Sequence, residues 1–462
     1  MAISAARKIA FDVLRRVALE NAYAADLLFA LLGSNTKKSD AALATELTLG
    51  VLRWQRLLDF LLERHLERRC DQLDLPVLLA MRIGLYQLRY LDRIPRHAAV
   101  NESVELVKRG RKSSAAGIVN AVLRKATAEA KLREGEINKL IPERTPADER
   151  LGILYSHPTW VVSRWIRHFG EVRTRGLLEA NNRPSPLTCA VPEEAAVNRT
   201  AESLSKCGFE VKPGRWLRGA LQISGGNPVS SESFRSGEIH FQDEASQMVA
   251  HLVDARESQT ALDTCAAPGG KTMLLARAVG PHGHVIAGDI REHRLRMIRE
   301  QLTRTAATNV ELLALDATQP FPFASKFDRV LIDAPCSGTG TLSRNPEIRW
   351  RLKPDDLTEA HRSQVAMLRN ALAAAKHESR VVYSTCSLEA EENENVVSEV
   401  LTSEAGWRVI SGVSALAAHL REPTAANKFW RDEKFFRTFQ PEHGTDGFFA
   451  AVFVRARPEK HC

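Results

Sequence analysis

The sequence predicts a multidomain protein: an all-α bundle, then a small α+β module, then an α/β domain on a doubly wound, mostly parallel sheet. Three observations lead there. At 462 residues the chain is too long for a single hydrophobic core. Residues 1 to about 130 repeat apolar positions at i, i+3, i+4 and i+7. From about residue 240 apolar strands alternate with helices, the pattern of sheets whose ligands gather at the carboxyl ends of the strands.

The bundle comes first. ARKIAFDVLRRVALE, DAALATELTLGVLRWQRLLDFLLERHL, LPVLLAMRIGLYQLRYL, AVNESVELVKRG and AAGIVNAVLRKA are amphipathic helix patterns, punctuated by Pro76 and Pro95. Residues 1–140 hold 24 Lys and Arg against 16 Asp and Glu, whereas the remainder holds 40 of each. A basic appendage on a neutral body suggests a nucleic-acid footprint, with a solvated basic helix surface as the plainer explanation. The polar segment KLREGEINKLIPERTPADERLG reads as a linker. Residues 141–239 are then linker and small α+β module, and 240–462 the α/β domain.

Composition excludes other classes. No run of eighteen apolar residues exists, and MAISAARKIAFDVLRR lacks a signal peptide's apolar centre, so a soluble, cytoplasmic protein without a membrane partner is expected. The seven cysteines are scattered without a CxxC pair, which fits neither a disulfide framework nor a metal site. Cys70, Cys189, Cys207 and Cys462 read as small buried hydrophobes.

ALDTCAAPGGKT (261–272) is a strand, a small-residue loop and a helix start, a form that brings backbone N–H groups close to a ligand. The dinucleotide fingerprint GxGxxG is absent. A P-loop would need a glycine where Cys265 stands, although Gly270, Lys271 and Thr272 match its end, so an NTPase stays open. The next strand, HVIAGDI, ends on Asp289, 19 residues past Gly270, where doubly wound folds place a carboxylate for a ribose diol. Asp316, after LLALDA, would stand near a purine edge. Two carboxylates suit a nucleoside without a triphosphate, and the cationic S-adenosylmethionine is the natural candidate. The plainer alternative is that both aspartates cap helices.

Two further strands end in cysteine loops: RVLIDAPCSGTG (329–340) carries Asp333 and Cys336, and VVYSTCSLEAEENENVV (381–397) carries Cys386. A cytosine C5 accepts a methyl group only after a thiolate adds at C6, an acid near N3 assists, and a base must later remove the C5 proton. One thiol is needed and a second is tolerated as the base. Spacing leaves open which is which, since either could be activated by a helix N-terminus or Lys271.

DTCAAPGGKT, GDI, LIDAPCSGTG with the following RNPEIRWR, and YSTCSLEAEENENVV together resemble the Nol1/Nop2/Sun family of RNA cytosine-5 methyltransferases over roughly residues 160–455. The resemblance implies that Cys386 attacks C6 and Cys336 serves product release. It assigns Cys265, Ala266, Ala267, Pro268, Gly269, Gly270, Lys271, Asp289 and Asp316 to S-adenosylmethionine, and places Asp333 and Lys271 beside the reacting base. Asp333 is expected to border the cofactor as well. PRHAAVNESVELVKRG with IVNAVLRKA is similar to the RNA-binding bundle of the NusB antitermination factor. A NusB-like bundle joined to such a catalytic domain looks like the bacterial Sun/Fmu type, which implies 16S rRNA as partner, naked or in an early assembly intermediate. A monomer is expected, and no metal.

Overall fold

The computed structural model describes residues 3–32, 36–430 and 432–455. Cys462 lies outside the described residues. The chain divides into two compact units, residues 1–184 with 342–351, and residues 185–341 with 352–462.

The first unit is helical: α1 (Ala5–Glu20), α2 (Ala24–Leu31), α3 (Lys38–Glu63), α4 (Leu75–Tyr90), α5 (Arg96–Arg109), α6 (Ala116–Ala126), α7 (Glu134–Leu140), α8 (Ala147–Leu154), α9 (Thr159–Phe169) and α10 (Glu171–Asn181). The apolar stripes meet in a core that includes Phe11, Leu14, Leu47, Leu58, Ile83, Leu106 and Leu123. Each side chain of that size contributes about 1.5–3 kcal/mol on burial. The segment read as a linker forms α7 and α8 instead. Ile137, Ile141 and Leu151 are buried there, and three well-spaced apolar residues are enough to bind an otherwise polar stretch to the helices.

A segment from far along the sequence completes this unit. Residues 342–351, ending in α16 (Ile348–Arg351), are packed as part of it. Arg349, 1% exposed, donates to the carbonyl oxygens of Arg53, Ser156, Asn181 and Leu342 and to Asn182 Oδ1, at 2.9–3.3 Å. Arg53 in turn donates to the Ser343 carbonyl at 2.9 Å, and the Trp350 indole to that of Leu52 at 2.7 Å.

The second unit begins with β1 (Leu187–Ala190), α11 (Val197–Lys206), β2 (Glu210–Pro213), β3 (Ala220–Ser224), α12 (Glu232–Arg235) and β4 (His240–Phe241). Its four strands form an antiparallel sheet in the order β2-β3-β1-β4 over Cys189, Leu204, Leu221 and Ile223. Cys189 and, in the first unit, Cys70 are buried as expected. Cys207 is not: it caps α11 at the carboxyl end, where the last turn faces solvent.

After α13 (Glu244–Leu252) the main sheet is laid down. β5 (Thr260–Asp263), α14 (Gly270–Val279), β6 (His284–Asp289), α15 (Glu292–Thr305), β7 (Val310–Ala314), β8 (Phe327–Asp333), α17 (Pro354–Ala373), β9 (Ala375–Thr385), α18 (Glu394–Ser403), β10 (Trp407–Ile410), β11 (Phe435–Arg437) and β12 (Phe449–Arg455) follow in order. The path across it is β10-β12-β9-β8-β5-β6-β7, with β11 paired to β12. Strands β5 to β9 are parallel, while β12 runs antiparallel to β9 and β10. Val330 and Ile332 join one core cluster and Leu331 the other; Val381 and Tyr383 alternate with Val382 in the same way. Both faces are covered, which is why these strands read as unbroken apolar runs. The order of strands reverses between β5 and β8, so the crevice for ligands opens at the carboxyl ends of those two strands.

Candidate active site

The loop after β5 is tied down on both sides. Thr264 N–H donates to the Leu331 carbonyl at 3.0 Å, and Ala266 N–H to that of Gly288 at 2.8 Å, so Cys265, Ala266, Ala267 and Pro268 are suspended between the ends of β8 and β6. Gly269 starts α14 with φ +106°, a conformation side chains avoid, and a Cβ there would meet Ile298 at 3.4 Å. Gly270 lets the helix begin against Gln242, 3.2 Å from where its Cβ would stand.

Asp289 and Asp316 end adjacent strands. The β6–β7 pairing sets Asp289 opposite Ala314, and Leu315 N–H donates to the Asp289 carbonyl at 3.2 Å. Each aspartate closes a local turn with one oxygen: Arg291 N–H donates to Asp289 Oδ1 at 3.1 Å, and Thr318 donates twice to Asp316 Oδ1, at 3.0 and 2.6 Å. The second oxygen of Asp289 faces Arg294 at 3.6 Å. Neither aspartate caps a helix, as the plainer alternative had it: the N-cap of α15 is Arg291 and, among the described residues, no helix lies between Asp316 and β8, so each carboxylate closes only a two-residue turn with one oxygen.

The two cysteine loops meet. Register pairs Asp333 on β8 with Ser384 on β9, so Cys336 and Cys386 emerge a few residues beyond neighbouring strand ends. Their sulfurs lie 3.4 Å apart. Gly340 N–H donates to the Cys386 carbonyl at 2.9 Å, and Gly447 N–H to the Gly340 carbonyl at 2.8 Å. A Cβ on Gly340 would fall 2.0 Å from the Gly447 oxygen, so only glycine lets the loops come this close. The Cys336 thiol is held well above its ordinary range, first by its hydrogen bond with Cys386, then by burial, the Cys386 charge and the charge of Glu392.

Lys271 Nζ pairs with Asp333 Oδ2 at 2.7 Å, and the Ser384 hydroxyl donates to Asp333 Oδ1 at 2.8 Å. Phe448 lies 5.3 Å beneath the Lys271 ammonium. In this ion pair Lys271 is the donor and Asp333 the acceptor.

Two residues of this site were not singled out by sequence reasoning. Asp263 ends β5 and is 1% exposed; its Oδ2 accepts from Thr272 at 2.8 Å, and its Oδ1 has no protein partner. Burial, the largest cause, raises this carboxyl to about 7. Its signal was its place at a strand end, the same as that of Asp289 and Asp333. Glu392 is one acid among several in EAEENENVV, and nothing in the sequence distinguishes it. It is fully buried between the cysteine loops and accepts from Ser337 N–H at 2.7 Å, the Ser337 hydroxyl, Ser387 Oγ at 2.5 Å and Gln364 Nε2 at 3.2 Å. Among the described residues no group of three or more His, Cys, Asp and Glu could hold a metal ion, and no helix is long and apolar enough to cross a membrane.

Comparison with known proteins identifies three matched regions. The family model described as 16S rRNA methyltransferase RsmB/F matches residues 250–454, the NusB family model residues 4–128, and the ferredoxin-like domain of RsmF/B-like methyltransferases residues 157–230. The probable ribosomal RNA small subunit methyltransferase B of Bacillus subtilis is 31% identical over 451 residues, covering 96% of this chain and 97% of the relative. Among solved structures, PH0851 superposes with a TM-score of 0.82 at 23% identity, covering 98% of this chain and 99% of its own. A methyltransferase homolog from Pyrococcus horikoshii has a TM-score of 0.56 at 27% identity, covering 68% of this chain and 100% of its own.

Proposed function

Because this chain belongs to the 16S rRNA methyltransferase RsmB/F family, we propose that it methylates C5 of one cytosine in 16S rRNA through a covalent cysteine–C6 intermediate. It is an S-adenosylmethionine-dependent rRNA methyltransferase; the target atom and the route are our reading. The single observation that carries the reading is the pair of sulfurs 3.4 Å apart beside the Lys271–Asp333 ion pair.

The cradle from Cys265 to Lys271 fits the cofactor: its backbone approaches closely at Gly269, and a buried Asp263 oxygen stands without a partner. Asp289 would take the ribose diol and Asp316 the purine edge. Bound there, S-adenosylmethionine supplies an electrophilic methyl group. The P-loop alternative falls with the family assignment.

Cys386 is the nucleophile. It stands in the TCS loop, while the Cys336 thiol is held above its ordinary range by its hydrogen bond with Cys386 and by burial and is kept for the release step. The Cys386 thiolate adds to C6, and the electron pair of the C5–C6 double bond moves onto C5 and the ring. Lys271 donates to the acceptor edge of the base and stabilises the negative charge that develops on the ring, while Asp333 accepts from the amino group and orients the base. With Cys386 taken up in the C6–S bond, its hydrogen bond with Cys336, the largest influence holding the Cys336 proton, is gone, and that proton passes to water. Once the C5 electron pair has been spent on the methyl group that the bound cofactor would supply, the Cys336 thiolate takes the C5 proton, the C–H pair re-forms the C5–C6 double bond, and the C6–S bond breaks with its pair on Cys386. The protein acts as a monomer on naked rRNA or an early assembly intermediate.

The test is adduct trapping with RNA that carries 5-fluorocytidine, whose fluorine cannot leave as a proton. With S-adenosylmethionine present, the wild type should form a denaturation-resistant complex and Cys386→Ala none. Cys336→Ala should accumulate a complex on ordinary RNA as well. A requirement for Cys336 in place of Cys386 would overturn the assignment of roles, and no complex in any form would overturn the covalent route.

A further inference from the structure

The residues that follow the two cysteines converge on one side chain. Ser337 follows Cys336 and Ser387 follows Cys386; both hydroxyls donate to Glu392 Oε2, and Ser337 N–H donates to Oε1 at 2.7 Å. The two hydroxyls also lie 3.0 Å from each other. Gln364 on α17 closes the fourth position on the carboxylate and gives a second bond to the Pro335 carbonyl, at 2.9 Å. Four donors on two buried oxygens account for a carboxylate that would otherwise be costly to place there. The same clamp is braced by Thr339, whose Oγ1 accepts from Leu388 N–H at 2.9 Å, and by Asn393, which accepts from Thr385 Oγ1 at 2.5 Å and donates to the Ser387 carbonyl at 2.9 Å.

We propose that Glu392 is the positioning residue of the thiol pair: by binding the residue after each cysteine it fixes the separation and aim of both sulfurs at once. This rests on the two-thiol reading above. A fixed separation matters because the two sulfurs must work in turn on opposite ends of one C5–C6 bond, and a misplacement near 1 Å costs about 100-fold in rate. The titratable groups around Glu392 are Cys336 and Cys386 on the two loops and Tyr383 on β9, whose hydroxyl donates to the Glu392 carbonyl at 2.6 Å. On α17 Gln364 is neutral, and His361 faces the Glu391 carbonyl and Glu399. The Glu392 charge is one of the influences that hold the Cys336 proton. Removing that charge therefore moves ionisation of Cys336 to lower pH.

The experiment compares full-length wild type with Glu392→Gln and with the double variant Ser337→Ala, Ser387→Ala. Cofactor affinity, thermal unfolding, the rate of adduct formation on 5-fluorocytidine RNA and the pH profile of product release on ordinary RNA are measured. Glu392→Gln should bind cofactor as the wild type does, form the adduct 10- to 100-fold more slowly, and show the ascending limb of release at lower pH. The double variant should slow adduct formation without moving that limb, because its carboxylate remains. Wild-type rates and an unmoved limb in Glu392→Gln overturn the proposal. So does a loss of cofactor affinity and melting temperature in step with activity, which would make Glu392 merely structural. Failure of the two-thiol reading is seen separately, as an adduct that survives Cys386→Ala.

Discussion

Asp263 is a carboxyl group with an unusual titration for a residue inside a cofactor loop. Unfolded, it loses its proton near 3.8; folded, it does so at about 7, because burial disfavours the charge more than Thr272 and Lys271 favour it. Between those values the native state binds the extra proton. The stability this residue contributes is therefore full at low pH and is lost as pH rises towards 7. Asp263→Asn keeps the shape and removes the titration. Relative to wild type it should gain stability between pH 4 and pH 8, by at most about 4 kcal/mol, as read from urea unfolding at each pH. A difference between the two proteins that does not change with pH would refute this. The aspartate was visible in the sequence as the end of a strand. Its protonation was not, since burial depends on what packs over it.

At the scale of elements, the segment 342–351 shows what a short stretch can do when one side chain is well placed. RNPEIRWR is a polar, cationic run by composition. Arg349 instead sits fully inside the helical unit with five acceptors around its guanidinium, and burial, the largest cause, lowers it to about 9. Lysine cannot reproduce that planar fork of donors. Arg349→Met should cost about 3–5 kcal/mol by leaving carbonyl oxygens buried and unpaired, and Arg349→Lys nearly as much. Both should lower the melting temperature of the full chain and open residues 342–351 to limited proteolysis. Unchanged melting and unchanged cleavage would show that the arginine is dispensable. Sequence reading could not anticipate this, because arginine is buried only when distant backbone supplies its partners.

At the scale of the whole molecule, the basic surplus of residues 1–140 is the feature with a partner in view. Arg96, Arg111, Arg124 and Lys125 are exposed on α5, α6 and the turn between them. Deleting residues 1–140 would be a poor test, since the compact unit continues to residue 184 and takes in 342–351. Substituting the four cations with alanine leaves the core intact. If they neutralise phosphates, the slope of log affinity for 16S rRNA against log salt should flatten by about 0.7–0.9 for each phosphate left without its cation. An unchanged slope would mean that these cations are only solvated.

The sequence by itself determined the helical character of the first part, the alternation of strand and helix in the last, and the strand-end positions of Asp289, Asp333, Cys336 and Cys386, because periodicity and turn residues are local properties. It also carried the family, since four motifs in order are a linear signal. Only the tertiary structure decided what those residues face. The meeting of the sulfurs depends on β8 and β9 being neighbours in register. The Glu392 clamp depends on two loops 50 residues apart, and the membership of residues 342–351 in the helical unit on carbonyl groups such as that of Leu52, 298 positions before Trp350. Such pairings are set by which strands adjoin and which side chains find buried partners, and neither is written in the spacing of the chain.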